Sequence, residues 1–164
     1  MIPAVFVIDT SYLLELFSVP GFSEESAVLE VKKRHEAAIE MTSRLYVPLP
    51  CIFELGNHIA DVPDGNCRKQ RGEALLETVK SSVEINNPWI ITPATGIEFF
   101  PRLCDALVKK YISQQIGLTD TSIIEEANRL KKKYRKSNLK VHIWTKDTTL
   151  KAYEPDTEEV PYTG

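Results

Sequence analysis

Ala4-Val5-Phe6-Val7-Ile8 is an unbroken apolar run that stops at an acid, Asp9. A strand with one face in water alternates apolar and polar residues. A strand without a polar position must be covered on both faces. This run therefore excludes an open sheet with a wet side and calls for helices above and below.

The rest of the chain supplies strands and helices in alternation. Thr10 or Ser11 can cap a helix carrying Leu13, Leu16 and Phe17 on one face, which Val19-Pro20-Gly21 ends. Ser23 and Ser26 offer a cap for a second helix with Val28, Val31, His35, Ala38 or Ile39, and Thr42 at steps of three and four. Residues 45–49 make a short strand, and Pro50 opens a helix through Phe53, Leu55 and Ile59. Asp61-Val62-Pro63-Asp64-Gly65-Asn66 is the clearest loop and the first place to expect disorder. A helix over about 68–82 follows, with Leu75, Leu76 and Val79, ended by Asn86-Asn87-Pro88.

Residues 89–92 form a third strand. The next helix runs from near Pro101 to Gln115, with Leu103, Leu107, Val108 and Tyr111 inward and Gly117 as its stop. Asp120 opens a long helix whose stripe is Ile123, Ile124, Ala127, Leu130 and Tyr134, and Ser137-Asn138 ends it. Residues 141–145 form a fourth strand. The tail after Tyr153 is acidic, contains proline and carries no strong pattern. This alternation predicts an α/β fold with a mainly parallel central sheet flanked by helices.

The 164 residues fit one domain, 1–164, with an irregular tail after about 154. The apolar opening is too short, and too lacking in a basic lead, for a signal peptide or a membrane span. Cys51, Cys67 and Cys104 are widely spaced and odd in number. They read as thiols of a reducing compartment, hence a cytoplasmic location without a membrane partner. His35, His58 and His142 have no mutual metal spacing.

Four acids stand where apolar runs give way to polar sequence: Asp9, Glu54, Asp120 and Asp147. Polar sites of parallel sheets gather beyond the carboxyl ends of the strands. Asp9 and Asp147 belong there, and Glu54 and Asp120 occupy early helix turns that can approach. Each acid alone has an ordinary use as a helix cap or dipole partner. Together they would repel unless a cation lay among them, and oxygen-only ligands suit Mg²⁺ or Mn²⁺. Thr10, Ser11 and Thr145 can hydrogen-bond the carboxylates, and Asn57 shares a helix face with Glu54 and can orient it.

Charge is uneven. Nine basic residues stand between Arg129 and Lys151 with one acid, Asp147, although the chain carries a net charge of −3. A footing for a polyanion and a solvated helix face both fit such a stretch. The candidates for contact with such a polyanion are Arg129, Lys131, Lys132, Lys133, Arg135, Lys136 and Lys146.

In order along the chain, these segments resemble the PIN-domain family of metal-dependent ribonucleases. The resemblance rests on Val5-Phe6-Val7-Ile8-Asp9-Thr10-Ser11 and Pro50-Cys51-Ile52-Phe53-Glu54-Leu55-Gly56-Asn57. It continues in Leu118-Thr119-Asp120-Thr121-Ser122-Ile123-Ile124 and Ile143-Trp144-Thr145-Lys146-Asp147. It implies a three-layer sandwich and a Mg²⁺ or Mn²⁺ site on Asp9, Glu54, Asp120 and Asp147 that cleaves RNA. It also implies kinship with VapC-type toxins, hence an antitoxin partner and a homodimer. The chain departs from compact members in extra sequence around 22–44 and 61–88 and in lacking a clear apolar fifth strand, for which Glu159-Val160-Pro161-Tyr162 is the only substitute. A phosphatase of the HAD type would need an acid where Ser11 stands. A receiver domain would need an acidic pair and a late lysine that cannot be placed. A 5′-nuclease-like enzyme usually has more acids and a larger chain. The remaining alternative is a catalytically inactive PIN domain that binds RNA or docks a protein.

Overall fold

The computed structural model describes residues 3–93 and 96–164. Strands β1 (Val5–Ile8), β2 (Arg44–Pro48), β3 (Ile90–Thr92) and β4 (Val141–Trp144) make one sheet. All its pairings are parallel, in the order β3-β2-β1-β4. Every residue of β1 and β4 is buried, as their apolar composition requires.

Seven α-helices are found among the described residues: α1 (Thr10–Leu16), α2 (Glu25–Glu40), α3 (Leu49–Ala60), α4 (Gly65–Ile85), α5 (Phe100–Ala106), α6 (Leu118–Tyr134) and α7 (Thr148–Lys151). α1 packs on α2 and α3, and α3 on α4; α6 crosses β1, β2 and β4 with α5 against it. Leu13, Leu55, Ile123 and Leu130 are fully buried, each contributing about 1.5–3 kcal/mol. Phe6 and Trp144 stack on neighbouring strands with ring centroids 4.0 Å apart. No helix among the described residues is long and apolar enough to cross a membrane.

The sequence expectations hold for the strands and for α6, whose five-residue stripe is wholly buried. They shift elsewhere. Asp9, rather than Thr10 or Ser11, caps α1. α2 has no side-chain cap, because the Ser23 hydroxyl donates to the Val19 carbonyl and closes the preceding turn. The loop at 61–66 contracts to a short turn: Asp64 accepts the Cys67 amide at 2.6 Å and starts α4 at Gly65.

Over 101–115 the helix changes pitch. α5 passes into a wide π turn at Leu107–Tyr111 and a tight turn at Ile112–Gln114. Leu103 and Tyr111 stay inward, while Val108, expected inward, is 65% exposed. Gln115 in the left-handed conformation ends the run (φ 60°), and Gly117 instead precedes α6 with an ordinary φ of −78°.

Among the described residues no fifth strand pairs with the β4 edge, and residues 159–162 form none. Acidic side chains cover it. Asp156 accepts the Val141 amide at 2.8 Å and Glu154 the Ile143 amide at 3.2 Å. The strap is pinned further by Arg34 on the Val160 carbonyl and Tyr12 on the Tyr162 carbonyl. Such cover removes an edge that could pair with another chain.

The strand order places a topological switch between β1 and β4. The chain leaves β1 towards β2 and β3 and returns to β4 on the other flank. Loops beyond β1 and β4 therefore diverge and leave a crevice at their carboxyl ends.

Candidate functional site

Asp9 lies at that crevice, 7% exposed. Its Oδ1 accepts the Thr10 amide at 2.6 Å. Its Oδ2 accepts the hydroxyls of Ser11 at 2.6 Å and Thr145 at 2.8 Å. Burial pushes the carboxyl above its ordinary range, against the pull of these hydrogen bonds.

Thr145, fully buried at the end of β4, also accepts the Asp147 amide at 3.0 Å. Asp147 in turn caps α7, with Oδ1 accepting the amides of Thr149 at 2.7 Å and Leu150 at 3.1 Å. The two neighbouring strands thus end alike, each in an aspartate that caps the next helix.

Glu54 arrives from the second turn of α3. Its oxygens accept hydroxyls of Thr10 at 2.7 Å and Thr119 at 2.6 Å. Asn57, expected to orient it, is exposed; Thr10 and Thr119 do so instead. Thr119 was missed as a site residue because Thr before Asp at a helix start reads as a cap, whereas α6 begins one residue earlier and Gly117 occupies the cap position.

Asp120, in the first turn of α6, is raised to about 6 by burial and by the negative charges of Asp9, Asp147 and Glu54. It shares a cavity of about 200 Å³ with Asp147, roofed by Gln114, Gln115 and Thr149. Four acids from four distant segments therefore share one electrostatic neighbourhood. Beneath them Cys51 is fully buried, and burial and the charges of Asp9 and Glu54 hold its thiol well above the usual range, unsuited to nucleophilic attack.

Several well-covered acids elsewhere in this molecule are neutralised by a lysine. Glu15 pairs with Lys146 at 2.7 Å, Glu154 and Glu158 with Lys151 at 2.7 Å, and Asp156 with Lys131. Among the described residues no cationic side chain pairs with Asp9, Glu54, Asp120 or Asp147. These four also do not form a finished cage: no group of three or more His, Cys, Asp or Glu among the described residues is arranged to hold a metal ion. Asp9, Glu54 and Asp147 instead turn oxygens towards caps and hydroxyls.

The basic stretch divides in the same way. Lys131 is held by Asp156, Lys146 by Glu15, and Arg129 forms two hydrogen bonds with Glu126 at 2.8 and 2.7 Å. Lys132, Lys133, Arg135 and Lys136 are exposed on and beyond the last turn of α6. The histidines stand apart: His35 accepts the Trp89 indole N–H and is brought down to about 4 by burial, His58 lies against Phe22, and His142 joins the strap.

No protein-family model matches the chain, and no curated protein matches it.

Proposed function

We propose that this protein is a Mg²⁺- or Mn²⁺-dependent endoribonuclease whose site is built on Asp9, Glu54, Asp120 and Asp147. The observation that supports this reading is that Asp120 feels the charges of Asp9, Asp147 and Glu54 and that, among the described residues, none of the four has a cationic partner, while Glu15, Glu154, Asp156 and Glu158 all have one. An unneutralised oxygen-only donor set matches a hard divalent cation. When bound, such a cation neutralises phosphate charge and lowers the pKa of a coordinated water.

The chain's own residues prepare that chemistry. Ser11 and Thr145 hold Asp9, and Thr10 and Thr119 hold Glu54, each by a hydroxyl that donates. Carboxylates held in this way keep their orientation as charge builds at a phosphate. Burial and its neighbours' charges bring the Asp120 carboxyl up to about 6, which suits it to exchange a proton near neutral pH.

The test is cleavage of a mixed-sequence RNA with Mg²⁺, Mn²⁺ or EDTA. Activity in metal, loss in EDTA, and loss in Asp9→Asn, Asp120→Asn and Asp147→Asn are expected. Cleavage at an undiminished rate in EDTA overturns the reading. One observation favours a second reading, a non-catalytic PIN-like module: the carboxylates already have internal partners and form no finished cage. On that reading neither metal produces any cleavage.

A further inference from the structure

A cavity of about 730 Å³ lies beside the acidic crevice, as a cleft between α6 and the β2–β3 half of the sheet. Its α6 wall is the stripe Ser122, Glu126, Arg129 and Lys133, at steps of three and four. The stripe begins two residues after Asp120 and extends roughly 16 Å along the helix. The cleft thus leads from the acidic edge to the opposite edge, where Arg44 begins β2.

Its charge is opposite to that of the acidic edge. The two wall acids are already matched, Glu126 by Arg129, and Glu125 by Lys110 at 3.0 Å and the Tyr111 hydroxyl at 2.8 Å. Arg44, Arg102, Lys132 and Lys133 also line it, and among the described residues none of them has an acidic partner within ion-pair distance.

The far end is built rather than merely basic. Arg44 donates one guanidinium N–H to the Tyr134 hydroxyl at 2.9 Å and lies over the Tyr134 ring, 5.1 Å from its centroid. Lys133 Nζ lies over the same ring at 5.3 Å. The Tyr134 and Tyr46 hydroxyls hydrogen-bond at 2.7 Å. Two cations are thereby set around one aromatic ring, and Arg44 keeps further N–H donors for an anion. Nearer the acidic edge the lining turns apolar, with Pro48, Pro93 and Phe99. A cationic end followed by an apolar end that includes the Phe99 ring suits phosphates and unpaired bases of one strand.

We propose that this cleft is the track for a single-stranded stretch of RNA flanking the cut site, with Arg44, Lys133 and Tyr134 seating one of its phosphates. The proposal rests on the ribonuclease reading for the identity of the polyanion. It moves the RNA footing from Lys131 and Lys146, which are held by acids, to Arg44 and Arg102 on other elements.

The test is fluorescence anisotropy of the full chain with a labelled, unstructured twelve-nucleotide oligouridine in EDTA, over a series of salt concentrations. Arg44→Gln and Lys133→Gln are substitutions at exposed positions. Each is expected to weaken binding about fivefold and to lower the slope of log affinity against log salt by about 0.7. Lys69→Gln, on exposed α4, is expected to change neither. Unchanged affinity and slope in the Arg44→Gln/Lys133→Gln double variant overturn the proposal, as does absence of binding by the parent. If that double variant binds normally while the parent cleaves RNA with Mn²⁺, the track falls and the ribonuclease reading stands. If the parent binds through these residues yet never cleaves with either metal, the track stands and the ribonuclease reading falls.

Discussion

The Thr145 hydroxyl donates to Asp9 Oδ2 at 2.8 Å and accepts the Asp147 amide at 3.0 Å. One fully buried oxygen therefore sets the position of two acids 138 residues apart in numbering, at the ends of adjacent strands. Thr145→Val keeps the shape and removes both hydrogen bonds, leaving buried polar groups unpaired. A loss of about 1–3 kcal/mol in urea unfolding is expected. Thr145→Ser keeps the hydroxyl and should cost less, about 0.8 kcal/mol for the lost methyl group. A valine variant as stable as the parent would show that the hydroxyl does not organise the acids.

Metal should act on stability before any substrate is present. A cation that binds only the folded state adds about 2.7 kcal/mol at a hundredfold excess over its Kd. Millimolar Mg²⁺ or Mn²⁺ is therefore expected to raise the Tm. Asp9→Asn separates charge from structure, since asparagine also caps helices well. Without metal it should be neutral or stabilising, because one buried charge is gone. With metal it should lose most of the parent's gain. A parent Tm that neither ion moves counts against the metal centre.

What the sequence makes legible here is what one residue and its near neighbours decide. The apolar run at Val5–Ile8 demands double cover, and the stripe from Ile123 to Tyr134 demands a buried helix face; both are met. Asp9, Glu54, Asp120 and Asp147 stand out by the same local reading, because each follows a strand or lies in an early helix turn; the structure adds the effect of the other three charges on Asp120. Partner choice was not visible. That Lys146 turns to Glu15, Lys131 to Asp156, and Thr119 rather than Asn57 to Glu54 depends on where chain separations of 131, 25 and 65 positions bring each side chain. Arg44 escaped notice as an RNA contact because its surroundings come from α6, some 90 positions away. The pitch change at Leu107–Tyr111 likewise has no local signature, and it turns Val108 outward.

Asp120 gives the site a pH signature. Its carboxyl is raised from 3.8 to about 6 by burial and by three neighbouring carboxylates. The folded protein therefore holds a proton that the unfolded chain releases, and unfolding becomes easier as pH rises through that interval. The stabilising contribution is complete below about pH 4 and gone above about pH 6. Asp120→Asn, which cannot titrate, should show a flatter stability profile over this range in metal-free buffer, read from urea midpoints at half-unit steps. Identical profiles in parent and variant would mean that the acids do not share one field.

The acidic strap along β4 gives the opposite sign. Burial alone would raise the Glu154 carboxyl, but His142, Lys151 and the Glu158 amide outweigh it and bring it down to about 2. Burial likewise acts against Asp156, which Lys131 and the Val141 amide hold below its ordinary range. Groups depressed in the folded state stabilise it at neutral pH, and that stability is lost as pH falls from about 4.5 towards 2. Asp156→Ala removes the acceptor of a strand amide and the partner of Lys131 together. A cost of about 1–3 kcal/mol at pH 7 is expected, shrinking as the pH is lowered, because the parent loses the same contribution on protonation. The variant should also expose the Val141 and Ile143 amides to faster hydrogen exchange, as the strap supplies the acceptor of each. Unchanged exchange at both amides would mean that residues 154–162 do not close the sheet.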